Sequence, residues 1–502
     1  MSWNRQIELA WQALHAGAPA RARDLIEQAL VDDPNAADAH AALGLLAQAY
    51  LSMGEHALSA DAYWRLLQSG KADSSVLLDL AAVLIDAGEY ADAENVAREA
   101  VRAGADQGNA FHILGRALQA QNLLEDAESA FRSALSHAPD APPVHYDLAQ
   151  LVWTRTGDLA AASAEIDARL DLDPRATPLR TIKAMLCGYA GDSAAAYAVL
   201  SEGLAHAPRD ARLHLAASKA ALKFDAPRAA DHAAKALALA PDNRRMLIAS
   251  ATALIAVGRV EEAGALTARL LATHPLDQKG LALQATVWRL LDDPRYRDVY
   301  DYEQFVRGWT IDVPKGWTDL PSYLGDLATS LRALHSGQAA PIGQSLRQGT
   351  QTRQNLLHSR DPVIRAFFEA IDAPIRRHMQ ALGSGSDAMR SRNTGRYRIV
   401  EAWSIQLSAS GYHVDHIHPQ GWLSSACYIH LPRTIASSSQ EGWIKFGEPG
   451  IPLKNALPAD HRVQPQPGLL VLFPSYLWHG TVPFAGEPGD TRLTIAFDVV
   501  PA

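Results

Sequence analysis

Apolar residues fall into two different rhythms along this chain. From residue 1 to about 292 the sequence is rich in Ala and Leu, and its apolar positions recur with helical period. From about 396 onward the pattern changes to short apolar runs, strong in Val, Ile, Tyr and Phe and cut by Gly and Pro turns. This half predicts strands over 397–407, 412–418, 424–431, 443–446, 468–473 and 492–500. Between the two lies a connecting stretch. Aromatics crowd in after Asp292-Asp293-Pro294, and amphipathic helices are predicted over 321–336 and 361–382, the second opening on the cap Asp361-Pro362. Residues 344–353 are polar, contain Gly349 and follow neither period, so they read as a loop or a solvated connection. Gly383-Ser384-Gly385-Ser386 reads as a surface turn.

The helical half repeats itself. One unit carries Leu114-Gly115, Ala127, Phe131, Ala134 and Pro139. The same small–large–small–Pro frame returns as Ala22, Ile26, Ala29, Pro34; as Ala162, Ile166, Pro174; and as Ala196, Leu200, Gly203, Pro208. It returns again as Ala229, Ala233, Ala236, Pro241 and as Ala263, Thr267, Leu270, Pro275, while Gly88, Ala93, Ala97, Ala100 lacks the proline. The prolines at 139, 174, 208, 241 and 275 are 35, 34, 33 and 34 residues apart. A period of about 34, with small residues where helices cross, resembles the tetratricopeptide repeat. About eight repeats are expected, with 37–72 fitting the frame least well. Such an array stacks helix pairs so that each covers its neighbour's apolar face and leaves an extended groove. The resemblance implies a groove that takes a peptide or protein segment, or one that only assembles or braces the protein.

Length and composition set bounds. A chain of 502 residues is too long for one core, and 48% hydrophobic with 20% charged residues is a globular profile. A net charge of −9 gives no electrostatic footing for nucleic acid or an anionic membrane. Cys187 and Cys427 cannot form a disulfide framework, which fits a reducing compartment. No run has the roughly 18 apolar residues of a membrane span, and residues 1–6 have no apolar signal core. A cytoplasmic location without membrane partners is expected. Oligomeric state is left open.

The densest chemistry is Gly411-Tyr412-His413-Val414-Asp415-His416-Ile417-His418-Pro419. On a strand, alternate side chains point to opposite faces. His413 and Asp415 would then share one face, and His416 and His418 the other, unless a bulge intervenes. Either pair could place two ligands on one metal ion, with His479 in Leu477-Trp478-His479-Gly480 as the remote third. Three protein ligands on one side of a metal suit a mononuclear oxygenase centre, where the usual third ligand is a carboxylate. His413, Asp415 and His479 would supply that carboxylate. His416, His418 and His479 would not, and a three-His set could also hold zinc.

The order of motifs from residue 416 onward is more specific. His416-Ile417-His418-Pro419 is followed by Leu423-Ser424-Ser425-Ala426-Cys427-Tyr428-Ile429. Pro467-Gly468-Leu469-Leu470-Val471-Leu472-Phe473-Pro474-Ser475, His479 and Arg492-Leu493-Thr494-Ile495-Ala496-Phe497 come next. This resembles a bacterial and phage family of 2-oxoglutarate/Fe(II) oxygenases, with the likeness running over about 296–500. The resemblance implies a double-stranded β-helix, or jelly roll, with Fe(II) held by His416, His418 and His479 and 2-oxoglutarate as cosubstrate. It also implies a dioxygenase that decarboxylates 2-oxoglutarate to succinate and CO2 while hydroxylating a C–H bond. An anchor for the distal carboxylate of 2-oxoglutarate is best supplied by a buried arginine. Arg492 lies 13 residues after His479. Thr494 shares its strand face, with Leu493, Ile495 and Phe497 on the other; Tyr428 and Ser425 are further cosubstrate candidates.

The expected organisation is α + β: a tetratricopeptide superhelix over 1–292, a connecting aromatic and helical segment over 293–395, and a jelly-roll core over 396–502. The expected function is hydroxylation of a protein or peptide recruited by the array. The alternative is a non-catalytic scaffold whose jelly roll binds metal or a small ligand, and a cupin-like enzyme using the same three histidines is a third.

Overall fold

A computed structural model of the chain describes residues 1–33, 39–70, 73–335, 341–436, 439–487 and 489–502. Seven antiparallel helix pairs can be followed among the described residues, four from Trp3–His15 with Pro19–Asp32 to Gln107–Ala120 with Leu124–His137, and three from Thr177–Tyr189 with Ser193–His206 to Arg244–Ala256 with Val260–Thr273. A single helix, Gln278–Leu290, closes the series. The small–large–small frame lies at the helix crossings. Ala127, Phe131 and Ala134 are fully buried, as are their counterparts from Ala22, Ile26 and Ala29 to Ala263, Thr267 and Leu270. Gly115 shows why the frame needs a small residue opposite the large one. A Cβ there would sit 2.5 Å from the ring of Phe131, inside contact distance. Each second helix ends two residues before its proline: His137 before Pro139, Leu172 before Pro174, His206 before Pro208, Leu239 before Pro241 and Thr273 before Pro275. Proline's ring excludes the helical conformation for the residue ahead of it, so it stops the helix there. Pro34, the proline of the first frame, lies outside the described residues, as does residue 336 at the end of the helix expected over 321–336.

Compactness divides the chain into Met1–Leu151 and Val152–Ala502. The first unit holds four helix pairs and most of helix Pro142–Thr156. The second holds the remaining array helices and the nine strands seen among the described residues. These are β1 (Arg307–Thr310), β2 (Leu346–Gln351), β3 (Tyr397–His413), β4 (Leu423–His430), β5 (Ile444–Phe446), β6 (His461–Val463), β7 (Leu469–Pro474), β8 (His479–Thr481) and β9 (Thr491–Pro501). They form a six-stranded sheet in the order β1-β7-β4-β9-β3-β2 and a three-stranded sheet in the order β6-β5-β8. Every strand pair is antiparallel, the layout of a jelly roll.

Alternation along β9 divides two environments. Leu493, Ile495, Phe497 and Val499 are fully buried in a core with helices Leu320–Arg332 and Pro362–Leu382. Each such side chain contributes roughly 1.5–3 kcal/mol by leaving water. Arg492, Thr494, Ala496 and Asp498 point the other way, into a cavity between the sheets. Helix Pro362–Leu382 starts as the sequence predicts: the Asp361 carboxylate caps the Val363 N–H at 2.8 Å, and Pro362 occupies the first turn.

Two expectations fail here for a shared reason. Residues 344–353 hold an edge strand rather than a loop, and 412–418 hold no separate strand. β2 pairs with β3 across a shifted register, with Gly349 opposite Leu407 and Arg347 opposite Tyr412. Gln348 and Ser410 both adopt left-handed φ, 54° and 63°, at this irregularity. The bulge carries β3 unbroken to His413, and its polar composition hides β2 from any two-residue period. Beyond His413 only an isolated bridge pairs His416 with His479.

The last array helix belongs to the packing of the sheets. Trp478 donates its indole N–H to Thr286 Oγ1 at 3.0 Å, and its main-chain N–H to the Tyr300 hydroxyl at 3.2 Å. Arg289 donates to the carbonyls of Gly447 and Pro458 and pairs with Asp460 at 2.5 Å. Thus the residue before His479 is held from the array side.

Candidate metal centre

The chain leaves strand geometry at Val414, whose N–H donates to Ser345 O at 3.0 Å. The simple alternation of the His cluster is thereby lost. His416 is fixed by reciprocal main-chain hydrogen bonds with His479, at 2.9 and 3.0 Å, and His418 N–H donates to Ser475 O at 3.0 Å. The connection β7–β8 therefore positions both. His416, His418 and His479 each bring one ring nitrogen into a group in which all such atoms lie within 4.8 Å of one another.

Hydrogen bonds on the far side of each ring fix its orientation. Nδ1–H of His416 donates to Val414 O at 2.8 Å, and Nδ1–H of His479 donates to Leu477 O at 2.9 Å. His418 Nδ1 lies 2.7 and 2.8 Å from the two carboxylate oxygens of Asp498. With all three Nδ1 atoms acting as donors, all three Nε2 atoms present lone pairs. The Nε2 atoms of His416 and His418 face each other at 3.3 Å. Two lone pairs at that distance repel unless a cation or a proton lies between them, and metal-bound histidines characteristically donate their other nitrogen in this way. The donor set fits a divalent first-row metal such as iron, because neutral imidazole nitrogen suits it. Burial also favours neutral rings. It pulls the His416 imidazole down to about 3, with repulsion from His418 adding to it. Burial lowers His479 well below the ordinary range as well. For His418 burial acts downward too, but the Asp498 carboxylate outweighs it and raises the proton affinity above the usual value.

Asp415 does not join the group. Its carboxylate pairs with Lys445 at 2.9 Å and packs against Gly480, where a Cβ would come within 2.6 Å of Oδ1. Lys445 also holds Glu448 at 2.5 Å. His413 does face the cavity, with Nδ1 2.8 Å from Ser345 Oγ, which is itself 3.2 Å from His416 Nε2. The two faces expected of a regular strand are thus rearranged: His413 lies on the same side as His416 and His418, and Asp415 is turned away.

The cavity has a volume of about 580 Å³. Arg492 lines it and is only 2% exposed. Its Nε has no hydrogen-bond partner, and among the described residues no carboxylate pairs with it. The guanidinium lies 5.1 Å from the centroid of the Tyr428 ring, and the buried Tyr428 hydroxyl has no side-chain partner other than this guanidinium. Desolvation lowers the Arg492 proton affinity, with Tyr428 countering it. A buried cation without a counter-ion is costly, so this wall is suited to an anion from outside the chain. Thr494 lies beside it on the same face. Ser425 reaches the cavity, but its hydroxyl is committed to the backbone of Phe497, donating to O and accepting from N–H at 2.9 Å each.

Several lining residues escaped the sequence reading. Asp498 orients His418 and also accepts from Ser424 Oγ at 2.8 Å. Its signal was present, since it continues the alternation Arg492, Thr494, Ala496. Trp403 stacks on His418 with ring centroids 5.8 Å apart. Ser345 and Tyr189 had no signal. Tyr189 comes from array helix Thr177–Tyr189, and its hydroxyl donates to Gln344 O at the cavity lip.

Residues 401–498 match the family described as "Putative 2OG-Fe(II) oxygenase". No curated protein matches the chain. Among solved structures, a tetratricopeptide repeat protein from Parabacteroides merdae is 18% identical, covering 49% of this chain and 97% of its own, with a TM-score of 0.35. The C-terminal part of a TPR repeat-containing protein from Cytophaga hutchinsonii is 16% identical, covering 48% and 98%, with a TM-score of 0.34. Superpositions this loose add nothing to the helix pairing seen in the chain itself. No helix among the described residues is long and apolar enough to cross a membrane. The chain joins an array of tetratricopeptide-like helix pairs to an antiparallel-sheet domain whose residues 401–498 match the 2OG-Fe(II) oxygenase family.

Proposed function

We propose that this protein is a cytoplasmic Fe(II)- and 2-oxoglutarate-dependent dioxygenase that hydroxylates a protein or peptide. In this reading 396–502 is the catalytic core, 293–395 belongs with it, and the array over 1–292 recruits the substrate. The observation that carries the reading is the convergence of three Nε2 lone pairs, each ring locked through Nδ1, beside a buried and unpaired arginine.

His416, His418 and His479 would hold the metal through Nε2. Arg492 would take the distal carboxylate of 2-oxoglutarate, with Thr494 and the Tyr428 hydroxyl as neighbouring donors. Fe(II) with 2-oxoglutarate, when bound, supplies the chemistry that couples oxidative decarboxylation to C–H hydroxylation. The chain's own part is to place, charge-balance and enclose. Asp498 keeps Nδ1 of His418 protonated and its Nε2 turned to the site, and offsets positive charge from one step outside the ligand set. Trp403 packs flat on the same ring and limits its rotation.

Protein reconstituted with Fe(II) should convert 2-oxoglutarate to succinate slowly even without its substrate. His418→Ala should abolish both iron retention and succinate. Protein that retains iron but forms no succinate, or that selects zinc over iron, would contradict the reading.

A further inference from the structure

Two first helices of successive pairs in the second unit, and the single helix that follows them, carry a set of cations that the proposed chemistry does not use. Lys219 lies on helix Ala211–Ala221, Arg245 on Arg244–Ala256, and Lys279 on Gln278–Leu290. Lys219 and Arg245 are exposed and Lys279 is partly buried. Among the described residues none of the three has an ion-pair partner, although neighbouring cations do: Lys183 with Asp167, Arg228 with Asp225, Arg259 with Glu262. Asp277, which partly counters the lowering of Lys279, is itself committed elsewhere. Its carboxylate pairs with Arg244 and caps the Gly280 N–H at 2.7 Å.

The three also act on one another. Desolvation lowers the Lys219 proton affinity and Arg245 lowers it further; desolvation lowers Lys279 to about 7, with Lys219 adding to it. The like charges of Lys219 and Arg245 beside a partly protonated Lys279, in a chain with 55 acidic and 46 basic residues, are an uncompensated cost that an anionic ligand would offset. The row is also tied to the candidate centre. Lys279 Nζ sits 3.8 Å from the centroid of the Trp478 indole, and Trp478 immediately precedes His479. Another first helix of the array brings Tyr189 to the cavity lip.

We infer that Lys219, Arg245 and Lys279 form a docking row for an acidic peptide segment, which would lie along these three helices with one end beside the cavity. The assignment of that segment to the substrate rests on the oxygenase reading; the docking row itself does not. Carboxylates spaced along an extended chain fit three cations on successive helices, and helical-repeat grooves offer such extended surfaces. The chain's own net charge of −9 disfavours a long nucleic-acid polyanion.

The test uses the full chain and a fluorescein-labelled Glu/Ser co-peptide, read by anisotropy, with a Gln/Ser co-peptide and oligothymidylate as comparisons. The acidic peptide should bind, the Gln/Ser peptide should not, and binding should weaken as salt rises. Exposed ion pairs contribute roughly twofold to fivefold each, so Lys219→Gln with Arg245→Gln should weaken binding about fourfold to 25-fold, with a ligand-free melting temperature equal to or above that of the wild type. Equal binding by the double variant, or oligothymidylate binding as tightly as the acidic peptide, would overturn the docking row. Absence of acidic-peptide binding alongside intact 2-oxoglutarate-dependent succinate formation would overturn it too, and leave the oxygenase reading standing. Acidic-peptide binding without succinate formation would support the row and sink the oxygenase reading.

Discussion

Arg492 is the side chain whose replacement is most informative. It is 2% exposed, its Nε is unpartnered, and no carboxylate among the described residues meets it. In the absence of ligand its burial is a cost, and with 2-oxoglutarate bound it would make a planar pair of charge-assisted hydrogen bonds. Removing one partner of a buried charged pair costs about 2–5 kcal/mol. At about 1.4 kcal/mol per tenfold, Arg492→Met should raise the dissociation constant for 2-oxoglutarate about 30-fold to 4,000-fold. Fe(II) binding should change little, because Arg492 is not in the histidine group. Arg492→Lys should recover only part, since an ammonium cannot make the two-bond contact. A thermal-shift titration separates the two faces of the argument. Wild-type protein should gain stability with 2-oxoglutarate, about 2.7 kcal/mol at a concentration 100 times the dissociation constant. The Met variant should gain about 0.9 kcal/mol or less at that concentration, while its ligand-free melting temperature equals or exceeds that of the wild type. An equal ligand-induced shift in both proteins would refute the anchor, and a ligand-free Met variant that melts well below wild type would refute the claim that this arginine is uncompensated.

Three further outcomes follow from the packing. His416→Ala should lose bound metal, measured by elemental analysis, while Asp415→Asn should keep it; loss of metal in Asp415→Asn alone would move the site to the other face of the cluster. In metal-free protein the His418–Asp498 pair raises the His418 pKa above the usual 6.5. Its stabilisation should therefore be full below that value and fade as pH rises through the raised pKa, whereas metal affinity should strengthen over the same interval as the competing proton leaves. Asp498→Asn should flatten the stability profile and weaken metal binding about 10- to 100-fold; an unchanged profile of melting temperature against pH would refute the pair. Finally, residues 152–502 expressed alone should melt higher than residues 293–502, because the shorter fragment lacks Arg289, the partner of Asp460, at a cost of about 1–3 kcal/mol for a partly exposed pair. Equal melting temperatures would show that helix Gln278–Leu290 is not a support of the sheets.

What could be read from the sequence follows from how local each signal is. The helix pairs were legible because small residues must recur wherever helices cross, as Gly115 must opposite Phe131. The two faces of β9 were legible because alternation is a property of the strand alone. The fate of the His cluster was not. It depends on a bulge shared by Gln348 and Ser410 and on hydrogen bonds that Val414 and His418 donate to the carbonyls of Ser345 and Ser475, residues distant in sequence. Strand β2 was missed because an edge strand needs little apolar surface, and Leu346 is its only fully buried residue. The composition change near residue 293 was plain, but the contacts of Thr286 and Arg289 across it are long-range and leave no periodic mark.

The central claim is that three histidines and Arg492 together make one site for Fe(II) and 2-oxoglutarate. An anaerobic titration of the Fe(II)-loaded full chain with 2-oxoglutarate tests it directly, read as the weak visible metal-to-ligand charge-transfer absorption. The account predicts a saturable band that is absent in His418→Ala and that requires far more 2-oxoglutarate in Arg492→Met. Iron-loaded wild-type protein that shows no band at saturating 2-oxoglutarate would contradict it.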